Sequence, residues 1–237
     1  MITLALDSSG RAAGTAMLRD GELIYESYLN NGLTHSETLL PMVEAALSAT
    51  GIAIGDLGLL AVGAGPGSFT GLRIGMALAK GLALPTGLPC AGVSSLEALA
   101  RGVFLPDGAA VVAASDARRG EVYYAAFLRE GEALRRLCPD TAGRPGPLEE
   151  VLGGCKKPVF VVGDGAQVCY NSLREKLPLE PVPAHWRLGR AAGVALAGLA
   201  LWQAGGAVPA GDLRPAYHRL SQAQRERQQK LKESERS

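Results

Sequence analysis

From Leu72 to Leu84 the chain reads Leu-Arg-Ile-Gly-Met-Ala-Leu-Ala-Lys-Gly-Leu-Ala-Leu, with Arg73 and Lys80 the charged positions. A helix apolar around most of its circumference has to be covered on more than one face. Directly before it stand an apolar run, Leu59 to Ala64, and a glycine-rich turn. A buried strand therefore feeds through a tight corner into a helix that needs cover, which points to layered α/β architecture.

The rest of the chain fits that layering. Ile2 to Leu6 is a short apolar run closed by Asp7, and Gly14 to Leu18 and Leu23 to Tyr28 flank an Asp-Gly pair, a strong hairpin signal. A helix is predicted over Ser36 to Ala49, with Thr34 and Glu37 at capping-box spacing and Gly51 as the stop. Pro41 is expected to bend that helix or delay its start. Its Leu39, Leu40, Met42, Val43, Ala46 and Leu47 again exceed what one sheet face covers, so the two helices suggest a protein interface, with internal burial as the alternative. The helix from about Thr70 to Leu84 stops before Pro85, and Pro89 to Val93 is a further strand.

The second half repeats the theme loosely. Ala109 to Ala114 and Glu121 to Leu128 read as strands around the turn Asp116 to Gly120, matching the turn Asp7-Ser8-Ser9-Gly10 of the first half. Val159 to Val162 is another strand, followed by Gly163-Asp164-Gly165 and a helix. Cys138 to Pro147 is polar and proline-bearing, expected as surface loop, and Gly189 to Ala204 is an alanine-rich apolar helix. The expected organisation is a lobe at 1–104, a lobe at 105–218 whose helix 189–204 is free to pack back on the first lobe, and a polar tail at 219–237. That tail carries Arg219, Arg225, Arg227, Lys230, Lys232 and Arg236 against Glu226, Glu233 and Glu235. It reads as a solvated tail, or as a weak basic arm touching a nucleic acid or a partner.

Composition narrows the function classes. The 237 residues carry a formal charge of +1, with 47% hydrophobic and 20% charged residues, so no global basic excess marks a nucleic-acid-binding body. Cys90, Cys138, Cys155 and Cys169 lack CxxC spacing and read as reduced thiols rather than a zinc ribbon. The N-terminus has no basic start and no long apolar run, and apolar stretches elsewhere are too interrupted for a membrane span. A cytoplasmic protein is the expectation.

The glycine-rich corner Gly65-Pro66-Gly67-Ser68-Phe69-Thr70-Gly71-Leu72-Arg73-Ile74-Gly75 lies where backbone N–H groups at a helix N-terminus can converge on an anion. It is neither a Walker A loop nor a dinucleotide fingerprint. Phosphate contact and a plain strand-to-helix corner both remain open on this reading.

Together with Leu4-Ala5-Leu6-Asp7 and His35-Ser36-Glu37-Thr38-Leu39-Leu40-Pro41, this corner resembles the TsaB (YeaZ) family, as do Asp116-Ala117-Arg118-Arg119-Gly120-Glu121-Val122-Tyr123 and Pro215-Ala216-Tyr217-His218-Arg219. The resemblance implies the two-lobed actin-like, sugar-kinase-like ATPase (ASKHA) fold. It also implies a non-catalytic subunit that binds and activates a TsaD-type transferase in making N6-threonylcarbamoyladenosine at position 37 of tRNA. A TsaE-type ATPase would be a third component, tRNA would be met through the complex, and ATP and metal would belong to the partner subunits. Family members use first-lobe helices for homodimer and TsaD contacts, which implies Leu39, Val43, Leu72, Arg73, Gly75, Met76, Ala79 and Lys80 as partner-binding residues.

The chain departs from the catalytic relatives in its histidines. A metal held by one helix needs two imidazoles a turn apart, whereas His35 has Leu39 at i+4 and His185 and His218 are solitary. No metal site and no catalytic residue are expected, which counts against a metallopeptidase. Asp7, Ser9, Gly65, Gly67, Ser68, Asp116 and Gly163 are the candidate nucleotide or phosphate contacts. They are the residues on which the rival reading, a stand-alone ATPase or phosphotransferase of the same fold, would depend.

Overall fold

A computed structural model describes residues 1–219 apart from 132 and 156, so the tail positions 220–237 lie outside the described residues. Two sheets form the frame. The first contains β1 (Ile2–Asp7), β2 (Ala13–Arg19), β3 (Glu22–Leu29), β4 (Leu59–Gly65) and β5 (Cys90–Ser94) in the order β3-β2-β1-β4-β5. The second contains β6 (Ala110–Asp116), β7 (Val122–Glu130), β8 (Ala133–Arg136), β9 (Thr141–Gly143), β10 (Val159–Val162) and β11 (Leu179–Pro181). Its path is β11-β10-β6-β7-β8, with β9 beside β7. Both sheets run an antiparallel meander into parallel strands: β1–β2 and β2–β3 are antiparallel while β4 and β5 are parallel, and β6–β7 and β7–β8 are antiparallel while β10 and β11 are parallel. The loose repeat read in the sequence is thus one topology used twice.

The helices are α1 (His35–Thr50), α2 (Phe69–Ala83), α3 (Ser95–Arg101), α4 (Leu148–Leu152), α5 (Ala166–Leu173) and α6 (Ala191–Gln203). Helices α1 and α2 cover one face of the first sheet, burying Leu39, Val43, Met76 and Ala79 against Leu4, Leu6, Leu60 and Val62. Helices α4 and α5 cover the second sheet through Leu148, Leu152, Cys169 and Leu173. The last helix of each half crosses over. Leu96, Leu99 and Ala100 of α3 pack on Val111, Ala113 and Phe127 of the second sheet. Val194, Ala195 and Ala197 of α6 pack on Ala5, Ala61 and Ala91 of the first. Glu26 of β3 holds α6 in place: it accepts the Ala192 N–H in the first turn of α6 (3.1 Å) and pairs with Arg190.

Local signals explain most boundaries. Asp20 and Gly21 take left-handed backbone angles (φ 52° and 89°) in the tight β2–β3 turn. The Glu37 carboxylate accepts the Thr34 N–H and hydroxyl (3.1 and 2.7 Å) at the start of α1, and Gly51 closes the helix with φ 65°. Pro41 does not delay the helix, which begins at His35 and takes the proline in its second turn. Nor is Cys138 to Pro147 wholly loop, because β9 lies inside it and pairs with Tyr123 and Tyr124. All four cysteines are free thiols, and burial pushes Cys169 up to about 12.

The two hydrogen bonds from Thr34 hold the Glu37 carboxyl below its ordinary value of 4.5. A depressed acid stabilises the fold above its unfolded pKa and loses that contribution as pH falls through the folded value. Glu37→Gln should therefore flatten the melting curve against pH in the acid range. Identical acid limbs in the two proteins would refute this role.

Candidate functional site

The internal repeat brings corresponding turns face to face. The β1–β2 turn, the β6–β7 turn, the glycine corner before α2 and the segment from Pro215 to Arg219 enclose a cleft of about 620 Å³ between the sheets. Ser9, Gly67, Ser68 and Asp116 line it, as do Arg11, Arg118, Tyr123, Asp164 and Tyr217. Asp7 and Gly163 lie deeper, around a small adjoining void.

Asp7 ends β1 and is buried. Its Oδ1 accepts the Ser9 N–H (3.0 Å) and hydroxyl (2.7 Å). Burial raises its pKa above the ordinary 3.8, opposed by the two bonds from Ser9 and by the nearby His35. A raised acid lowers stability as pH climbs through its folded pKa, so Asp7 works against the fold at neutral pH. Asp7→Asn keeps an acceptor for Ser9 and removes the buried charge. It should melt higher than the parent at pH 7, with the gain shrinking as pH falls toward 3.8; a lower melting temperature at pH 7 would contradict this account.

The glycine corner closes onto the β1–β2 turn. The Ser68 N–H donates to the Ser9 carbonyl (2.7 Å), and the Ser68 hydroxyl accepts the Gly71 N–H (3.2 Å). The Ser8 hydroxyl donates to the Gly71 carbonyl (2.9 Å), and the Gly65 N–H donates to Ser95 Oγ (3.1 Å). A Cβ on Gly67 would stand 2.3 Å from the Ser9 carbonyl oxygen, so only glycine permits this approach. The Gly65, Ser68 and Gly71 N–H groups of the corner are thus bonded within the chain.

In the second half the Asp116 Oδ1 accepts the Arg118 N–H (2.7 Å), the carboxylate pairs with the Arg118 guanidinium (3.3 Å), and the Asp116 N–H donates to Asp164 Oδ1 (2.9 Å). Gly163 packs on Ala114, whose carbonyl oxygen would be 1.9 Å from an added Cβ. Arg118 and Arg119 both adopt left-handed φ (68° and 59°), which places consecutive arginines at the tip of the turn.

Sequence reasoning assigned no role to the segment that crosses the cleft mouth. The Ala216 N–H donates to the Ala64 carbonyl of β4 (2.7 Å). Tyr217 stacks on Phe69 of α2 at 4.7 Å, and Arg73 lies 4.0 Å over the Phe69 ring while its Nε donates to the Tyr217 hydroxyl (3.1 Å). Arg219 donates to the Ala117 carbonyl (2.8 Å) and pairs with Glu121 on the opposite turn. Pro215 to Arg219 thus straps the first half to the second. The Tyr-x-Arg spacing was visible, but nothing local to it tells where its partners lie.

The apolar partner residues are placed differently from expectation. Leu39, Val43, Leu72, Gly75, Met76 and Ala79 are buried within the chain, because each points to the sheet side of its helix. The alternative of internal burial holds for them, and they present no free docking face. Gly75 in addition admits no side chain, since its Cβ would lie 2.4 Å from Ser8 Oγ. Arg73 is exposed but engaged with Phe69 and Tyr217, and Lys80 is half-buried. The outward residues of the pair include Leu40, Pro41, Glu44, Ala45 and Ser48 on α1 and Ala77 and Gly81 on α2, with Leu84 just beyond its end. His35 Nε2 donates to the Gly10 carbonyl (2.9 Å), and among the described residues no three His, Cys, Asp or Glu side chains gather as a metal-ligand set. No helix among the described residues is long and apolar enough to cross a membrane.

Paired sheets of one topology, with a cleft between their equivalent turns, define an α/β protein of the two-lobed actin-like, sugar-kinase-like class. Within it, a family model described as TsaD, tRNA N6-adenosine threonylcarbamoyltransferase, matches residues 32–168. The tRNA threonylcarbamoyladenosine biosynthesis protein TsaB of Bacillus subtilis is 35% identical over 75% of this chain and 77% of its own length. The protein of that name from Escherichia coli is 44% identical over 56% of this chain. The match spans little more than half the length of that relative and of its Haemophilus influenzae counterpart, 58% and 54%. Among solved structures, YeaZ from Pseudomonas aeruginosa superposes with a TM-score of 0.77 at 31% identity, over 91% of this chain and 99% of that one. The chain belongs to the TsaB (YeaZ) family.

Proposed function

We propose that this chain is an accessory subunit in the synthesis of N6-threonylcarbamoyladenosine at position 37 of tRNA. In this reading it docks on a TsaD-type transferase, favours its active conformation, and performs no chemistry of its own. A TsaE-type ATPase is the third component, tRNA is met through the assembly, ATP and metal reside in the partner subunits, and the chain works in the cytoplasm. The naming of its relatives for this biosynthesis supports the process. The outward face of α1 and α2 carries the docking role: Leu40, Ala45, Ala77, Gly81 and Leu84 form an exposed surface of apolar and small residues on which another helix pair can pack closely. Two copies of this chain would pair through the same face when the transferase is absent. Differential affinity for the active form of the transferase is the driving term.

A second reading, an ATPase or phosphotransferase in its own right, draws on the size of the cleft and on Asp116 and Asp164 in its wall. The two readings part in one experiment. The chain and a matching TsaD-type subunit are run together and singly through size-exclusion chromatography with light scattering, and the same samples are assayed for threonylcarbamoyl transfer. A larger species that alone transfers is the expected result. Failure to associate, with magnesium-dependent ATP turnover by the isolated chain, would replace the accessory reading with the enzymatic one.

A further inference from the structure

The opposite side of the molecule carries a surface that neither the cleft nor the α1–α2 face explains. Helix α6 contains no charged residue, and one side of it is used up on the first sheet. A helix apolar all round calls for cover on its other side as well. That side shows Leu196, Leu199, Ala200 and Gln203, a stripe at i, i+3, i+4 and i+7. The stripe forms one wall of a groove of about 670 Å³, and Phe104 and Trp186 belong to the facing wall. Phe104 is 75% exposed, the most exposed large hydrophobic side chain among the described residues.

The charge of the groove has one sign. Arg101 and Arg129 line it and no acidic side chain does. Arg101 is paired with Glu97 on its own helix, whereas Arg129 makes no ion pair among the described residues. We infer that this groove receives an amphipathic helix from a partner protein, with apolar anchors at helical spacing and acidic residues beside them. The stripe on α6 and the Phe104 ring offer seats for such anchors, and Arg129, whose charge no carboxylate among the described residues offsets, selects the sign of the flank. A second copy of this chain is disfavoured, because a two-fold contact through the groove would set arginines against arginines. Single-stranded RNA is disfavoured because a stacking platform needs successive exposed rings, and here the wall from α6 is aliphatic.

Trp186 and Trp202 are the only tryptophans in the sequence, so Trp202→Phe leaves Trp186 as the sole indole reporting on the groove. The probes, titrated into the full chain, are stapled helices of about 15 residues with leucine anchors at i, i+4 and i+7. One set is flanked by glutamate and its copies by lysine, and a single-stranded RNA oligonucleotide is run beside them. Glutamate-flanked helices should change Trp186 emission with dissociation constants on the order of micromolar, and their lysine copies should bind at least about tenfold more weakly. Phe104→Ser and Arg129→Glu should each weaken binding at least about tenfold without altering the melting temperature. The inference falls if no glutamate-flanked helix binds by roughly 100 µM, if the lysine copies bind equally, or if Phe104→Ser changes nothing. Response to RNA alone would make the groove a stacking site. A concentration-dependent emission change in the chain by itself, abolished by Phe104→Ser, would make it a self-association surface.

Discussion

Gly193→Ala should lower the melting temperature by roughly 6–12 °C, taking about 3 kcal/mol for an overpacked contact that cannot relax and 2–4 °C per kcal/mol for a chain of this size. The added methyl carbon would stand 2.0 Å from the Ala98 carbonyl oxygen, 3.0 Å from its carbon and 3.1 Å from the Gly102 nitrogen. All three are backbone atoms of α3 or of its cap, so no side-chain rotation relieves the clash. Helices α3 and α6 have to move apart instead. Because α3 is packed on the second sheet and α6 on the first, that movement loosens both cores together. The same chemical change at Gly81 provides the contrast. An added Cβ there meets nothing within 4 Å, and alanine in place of a helical glycine contributes about 0.5–1 kcal/mol. Gly81→Ala should therefore melt a degree or a few higher. If Gly193→Ala melts within about 2 °C of the parent, the crossed helices are not the joint that holds the two halves together.

Of that joint the sequence offered only the α6 half, as helix 189–204 packing back on the first lobe, and gave no sign of α3. Strand–turn–helix order, the Asp20-Gly21 hairpin, the Thr34–Glu37 cap and the resemblance of the two Asp-led turns are short-range signals, and each appears where periodicity and turn chemistry place it. Exchange of α3 and α6 between sheets is a long-range choice: both stretches are apolar on several sides, so neither declares which sheet it covers. Helix α3, seven residues long, spans just under two turns, too few to give a readable period. Strands β8 and β11 are short and carry exposed or half-buried positions, so alternation was too weak to find them. The cleft shows the same division. Ser9, Gly67 and Asp116 were recognisable as turn residues, but their encounter with Tyr217 and Arg219 depends on the segment from Ala216 to Arg219 crossing between halves.

The burial of the apolar residues expected at the interface has a more general cause. Periodicity identifies the most apolar side of a helix, and on α2 that side, Leu72, Met76, Ala79 and Ala83, is the one the sheet takes. The side left exposed is the second-best one, made of small residues rather than large ones. Ala77→Arg, on that outward side, should weaken association with a TsaD-type transferase at least about 100-fold, equivalent to roughly 3 kcal/mol, because a long charged side chain would be forced into a close helix contact. The isolated variant should melt like the parent, since Ala77 is exposed. If two copies of this chain pair through the same face, the variant should also be monomeric by light scattering. Gly75→Arg tests something else: its side chain would begin 2.4 Å from Ser8 Oγ, so the expected loss of binding would follow from a damaged fold. Only the pair of variants separates the two causes. Undiminished binding by a well-folded Ala77→Arg would move the partner off the α1–α2 face. Lost binding with an unchanged melting temperature would mean that the buried stripe organises the helix while the small outward residues make the contact.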